Sequence, residues 1–105
     1  MPPHDERRLS LRLVSEGEFI VSAVMYDPPR TTGLVELFVT PVVEDRELIK
    51  SRISRFAAKT RATLTPGRGA QGGGFTLLCP TRPSEPPLRA MVRASTSLFL
   101  SLVKR

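Results

Sequence analysis

The hydrophobic pattern of this chain changes period once near its middle, and any fold must satisfy both halves. Before the change, apolar residues recur at every second position. Leu9, Leu11 and Leu13 alternate with Arg8, Ser10 and Arg12. FIVSAVMY, Phe19 to Tyr26, is rich in β-branched and aromatic side chains. Val35, Leu37 and Val39 share one side of LVELFVTPVV, and Glu36 and Thr40 the other. A period of two places every second side chain on the same face, so these segments read as strands. Ser15-Glu16-Gly17-Glu18 supplies the turn of a hairpin between the first two. Asp27-Pro28-Pro29 closes the second, because proline fixes φ and removes a donor, and Pro41 marks a strand end or a sheet edge.

From Glu44 to about Leu64 the spacing becomes three and four, through Ile49, Ile53, Phe56, Ala57 and Thr60. Glu44, Asp45 and Glu47 lie in the first turn, where carboxylates favour the positive end of the helix dipole. Thr65-Pro66-Gly67 is the expected stop. GFTLLCP then reads as another short strand. Ser84 or Glu85 is expected to open a second helix, with Pro86 and Pro87 in its first turn and a stripe through Leu88, Met91, Val92, Ser95, Leu98, Phe99 and Leu102. TSLFLSLV also alternates, leaving residues 96–103 open between helix and strand. The expected fold class is α+β: one domain over residues 1–105, in the order βββαβα, with an antiparallel sheet of about four strands and two helices on one face. Residues 1–7 are expected to be flexible and residues 65–74 to form a Gly-rich loop.

A single Cys79 excludes an intrachain disulfide, and one Cys and one His, His4, cannot by themselves build a four-ligand zinc site. No apolar run approaches the length of a transmembrane helix, and MPPHDERR leads into no signal-peptide core, so a cytoplasmic or nuclear location is expected. Charge is strongly divided along the chain. Residues 1–47 carry five arginines against nine acids, a net of −4, whereas residues 48–105 carry eleven basic residues against Glu85 alone, a net of +10. Thirteen of the sixteen basic residues are Arg. That bias is better explained by gene composition than by arginine chemistry, and the charge itself stands under either explanation.

Arg52, Arg55 and Lys59, spaced i, i+3, i+7, form a basic stripe opposite the apolar side of the first helix, with Arg61 and Arg68 near its end. Surface helices usually intersperse signs, yet no Asp or Glu occurs from Leu48 to Ser84. An acid-free stripe of this kind suits phosphate contact. Arg89 and Arg93, four apart on the second helix, make a weaker second patch.

Gly67 to Gly72 reads GRGAQG, a literal match to the G-x-G-x-x-G fingerprint. That motif works by turning a strand into a helix, so that a pyrophosphate rests on the helix N-terminus. Here a helix precedes the glycines and a strand follows them, so no nucleotide cradle is expected. A connecting loop that extends Arg68 toward a phosphate is the reading that survives.

Catalytic machinery is not expected. His4 lies in an N-terminal stretch that offers no positioned base, and Cys79 reads as a small core residue. Glu16 and Glu18, and likewise Glu44, Asp45 and Glu47, belong to a turn and a helix start. Phe19, Tyr26, Phe38 and Phe75 are assigned to the core or a subunit interface in preference to base stacking. The expected function is a small non-enzymatic binding or regulatory protein contacting nucleic acid phosphates, DNA or RNA, through Arg52, Arg55, Lys59, Arg61 and Arg68, with Arg89 and Arg93 subsidiary. No cofactor and no metal site is expected. The alternative is a protein interaction module, such as a viral or phage accessory factor or a homodimeric adaptor, docking to an acidic protein or to a second copy.

Overall fold

The structure, a computed structural model, describes residues 7–27, 33–42, 46–66 and 73–103. Its elements are β1 (Arg7–Ser15), β2 (Phe19–Asp27), β3 (Leu34–Pro41), α1 (Arg46–Thr60), β4 (Thr63–Pro66), β5 (Phe75–Pro80) and α2 (Pro87–Val103). The strands form one five-stranded sheet in the order β1-β2-β3-β5-β4, every neighbour antiparallel. This is the α+β fold expected from the pattern, with one short strand more.

The β1–β2 hairpin closes where the Glu18 N–H donates to the Ser15 carbonyl at 3.0 Å. Gly17 takes φ 76° there, a left-handed conformation that glycine adopts without steric cost. The Ser15 hydroxyl also donates to Glu18 Oε1 at 2.8 Å, so these two residues serve the turn.

Alternation then sorts the sheet into two faces. Phe19, Val21 and Ala23 of β2, Val35, Leu37 and Val39 of β3, and Phe75, Leu77 and Cys79 of β5 are all buried on one of them. Ile49, Ile53, Phe56 and Ala57 of α1 and Ala90, Met91, Ala94, Leu98 and Leu102 of α2 close over these side chains. α1 packs on β4 and β5, and α2 on β1, β2 and β3, with the two helices side by side. On the opposite face Ser22, Val24, Phe38, Thr76 and Leu78 are only half-buried and no described helix covers them.

α2 settles the ambiguous C-terminal segment, because it remains helical through Val103. Its stripe of Ala90, Met91, Ala94, Leu98 and Leu102 buries a continuous face, and burial of that face outweighs the local alternation. Ser95, the one buried polar residue among those described, donates from Oγ to the Met91 carbonyl at 2.6 Å. Its hydroxyl is thereby satisfied within the helix. No described helix is long and apolar enough to cross a membrane.

α1 stops four residues earlier than its spacing suggests. Arg61 takes φ 60°, and the Ala62 N–H donates back to the Ala57 carbonyl at 3.0 Å. This six-to-one closure is a Schellman stop with arginine where glycine is usual. The chain then enters β4, whose Leu64 sits opposite Leu77 and packs against the core. Thr65 and Pro66 therefore belong to a strand and not to the Gly-rich loop, and Arg7 begins β1. Residues 67–72, with Arg68, lie outside the described residues, as do residues 1–6. Gly74 has its own constraint, since a Cβ there would lie 3.0 Å from the Val39 carbonyl oxygen.

Because a non-glycine residue in the left-handed region is strained, Arg61→Gly is expected to stabilise the fold by about 0.5–1 kcal/mol, the relief being partly offset by glycine's larger unfolded-state entropy. Urea unfolding with an unchanged m-value and a raised midpoint would show it; an unchanged or lowered midpoint would show that the stop is unstrained.

Candidate nucleic-acid interface

The basic stripe of α1 is real as a helical spacing, but its members do different work. Arg52 is half-buried and donates from Nη1 to the Leu102 carbonyl at 2.8 Å, fifty residues away. It occupies an orphan carbonyl at the C-terminal end of α2, where a cation also favours the helix dipole. That bond turns the flank bearing Arg52, Arg55 and Lys59 toward α2. Arg55 and Lys59 continue the flank and are exposed, and Arg61 is exposed at the helix stop.

Among the described residues none of these three has an acidic partner, and Glu47 is the only acid within α1. Lys50, not singled out in the sequence, is also exposed on α1, with no ion pair among the described residues. Its position outside the i, i+3, i+7 stripe hid it.

The second patch does not join the first. Arg89 is exposed in the opening turn of α2. Arg93 is engaged in a bidentate pair with Glu85: Nε to Oε2 at 2.6 Å and Nη2 to Oε1 at 2.8 Å. Glu85 Oε1 also accepts the Arg82 backbone N–H at 2.9 Å, and the Glu85 N–H donates to the Arg82 carbonyl at 3.1 Å. The Arg93 Nη2 reaches the Pro80 carbonyl as well, at 3.4 Å. One carboxylate thus ties the β5–α2 connection to the helix that follows it, with Ser84 in the left-handed region at φ 61°. Arg93 is a structural clamp, and of the seven residues expected at the interface Arg55, Lys59, Arg61 and Arg89 remain as described, exposed cations.

The clamp holds the Glu85 carboxyl down at about 2 through the hydrogen bonds from Arg93 and the Arg82 N–H, and it raises Arg93 in return. Burial pushes the Cys79 thiol up to about 11, against a smaller opposing effect of Arg93. A thiol so buried is protonated near neutrality and is no nucleophile. No group of three metal-ligating side chains occurs among the described residues. Glu44 and Asp45 of the expected helix start, and His4, lie outside them.

The aromatics divide between the faces. Phe19 and Phe75 are buried, the first against Phe99 at 5.4 Å between ring centroids, the second beneath the Arg46 guanidinium at 5.4 Å. Tyr26 and Phe38 are half-buried and register with Arg8 and Ser22, on the helix-free face, so of the two places expected for them, core or subunit interface, the core does not hold. A cleft of about 580 Å³ opens at the end of the sheet between Met25, Tyr26, Leu34, Glu36, Arg82 and Met91. It is lined by no histidine or cysteine among the described residues, and its one clamped carboxylate, Glu85, is occupied by Arg93. No protein family, no curated protein and no solved structure matches the chain.

Two outcomes follow from the clamp and the thiol. A carboxyl held below its ordinary value stabilises the fold above about 4.5 and loses that contribution as pH falls toward about 2. Acid unfolding of the wild type should therefore steepen in that window, and Glu85→Gln should remove the steepening; identical acid profiles would contradict the clamp. Native protein should resist thiol alkylation at pH 8, Cys79 reacting only on unfolding; rapid modification of folded protein would place the thiol outside the core.

Proposed function

We propose that this chain is a non-enzymatic binding protein whose α1 end contacts the phosphates of a nucleic acid, with little dependence on base sequence. The observation that carries the reading is that Arg55, Lys59 and Arg61 project from one end of a helix with no acidic partner among the described residues. They lie within a sequence free of acids from Leu48 to Ser84. Uncompensated cations held on a rigid element attract a polyanion and release its condensed counterions, and phosphate contacts of this kind position a chain without reading bases. Arg52 adds charge beside them while its hydrogen bond fixes the flank, and Arg68 follows closely in sequence. Arg93 leaves the site because Glu85 neutralises it, and Arg89 stands apart on α2.

Anisotropy titrations of labelled single- and double-stranded oligonucleotides over a salt series test this. Joint replacement of Arg55, Lys59 and Arg61 by Gln should lower the log-log salt slope by about 2–3, roughly 0.7–0.9 per lost phosphate contact. Arg82→Gln, which also removes one positive charge but from the β5–α2 connection, should leave the slope unchanged. An unaltered slope in the triple variant, or no binding at low salt, would refute the proposal.

A further inference from the structure

The two edges of the sheet are built differently. β4 is four residues long and ends in Pro66, which donates no backbone hydrogen bond, so that edge is blunted. β1 is nine residues long, contains no proline or glycine, and keeps an unbroken register with β2 from Arg7 to Ser15. Half of its backbone donors and acceptors bond to β2, and the other half point outward along an edge that no described strand pairs. Beside that edge, on the helix side, Leu9 is 40% exposed and Leu11 and Leu13 are only half-buried. α2 adds Leu88 and Val92, 52% and 46% exposed, on the helical flank that also carries Phe99.

We infer that β1 pairs antiparallel with β1 of a second copy, on a two-fold axis through Leu11, making one ten-stranded sheet. The row of Leu9, Leu11 and Leu13 is self-complementary in an antiparallel pair, which suits a second copy, and charge together with strand length sets the register. In an antiparallel pair the outward-pointing residues of one strand must face outward-pointing residues of the other, so a symmetric pairing of β1 is centred on a residue, not between two. Centring on Ser10 sets Arg8 directly against Arg12 of the second copy. Centring on Arg12 sets that residue against itself. Like charges directly opposite destabilise a pair.

Centring on Leu11 sets Arg8 against Val14 and Ser10 against Arg12, so no arginine faces another. Arg12 then has both Arg12 and Arg8 of the second copy as diagonal neighbours, at about 7–8 Å, farther than a directly opposed pair. The same register matches Leu9 with Leu13 and Leu11 with Leu11 on the helix side, and it pairs the whole of β1, Arg7 through Ser15. Arg8 and Arg12 thus disfavour the registers centred on Arg8, Ser10 and Arg12, and of the registers that remain only the one centred on Leu11 pairs the strand over its full length. Because pairing across this axis preserves the faces of the sheet, the helices of both copies lie on the same side. The inference does not depend on phosphate contact, since β1 and the end of α1 are separate surfaces.

Sedimentation velocity over a concentration series tests it with Ser10→Arg. Ser10 is exposed on the helix-free face, so the change leaves the core alone. It sets the introduced arginine against Arg12 twice, once per symmetric pair, and should weaken the dimer by about tenfold. Adding Arg12→Glu to the same chain turns both contacts attractive and should restore or tighten the dimer. If Ser10→Arg disturbs the circular dichroism spectrum, Val14→Arg, which opposes Arg8 in the same register, provides the equivalent test. A wild type that stays monomeric at every concentration overturns the inference, and so does a dimer that neither arginine variant weakens.

Discussion

One face of the sheet takes all of its buried apolar side chains, and both helices lie on it. Nine residues of β2, β3 and β5 alternate onto that face, and α1 and α2 shield them from water. At roughly 25 cal/mol per Å² of apolar area removed from water, burial of this face is the main favourable term available to a chain with no disulfide to assist it. Covering one face leaves the other uncovered, and it leaves β1 at a margin where α2 reaches but does not enclose it. The surfaces open to partners are therefore consequences of how the core is built.

The basic half of the chain resolves into two populations once carbonyls and carboxylates are located. Arg52 finds the Leu102 carbonyl, Arg93 finds Glu85, and Arg46 lies over the Phe75 ring. These three hold helix to helix, loop to helix and helix to sheet. Arg55, Lys59 and Arg61 find no such partner among the described residues, although they are close in sequence to Arg52. Arg61 also occupies a left-handed backbone position that glycine fills more easily.

Periodicity revealed much of the fold because both of its signals were long. Three alternating segments and two stripes of three and four spacing became β1, β2, β3, α1 and α2. β4 was not legible: four residues, two of them threonines on the outer side, carry no pattern, and its pairing with β5 depends on partners nine to fifteen residues away. The end of α1 was misplaced because its stop uses Arg61 where glycine is the recognisable signal. At the candidate site, the spacing of Arg52, Arg55 and Lys59 located the flank but could not show that Arg52 caps α2. Nor could it show that Glu85, the only acid in the basic half, is the partner of Arg93; both facts require tertiary proximity.

The central claim, that the end of α1 meets phosphate, is tested most directly by titrating a short oligonucleotide into uniformly ¹⁵N-labelled protein and following backbone and arginine side-chain resonances. The account predicts shifts concentrated at Arg55, Lys59, Arg61 and their neighbours, reversed by added salt, with the guanidinium signal of Arg93 unmoved because Glu85 holds it. Shifts centred on the Arg82–Arg93 clamp or the helix-free face, or none at low salt, would contradict it.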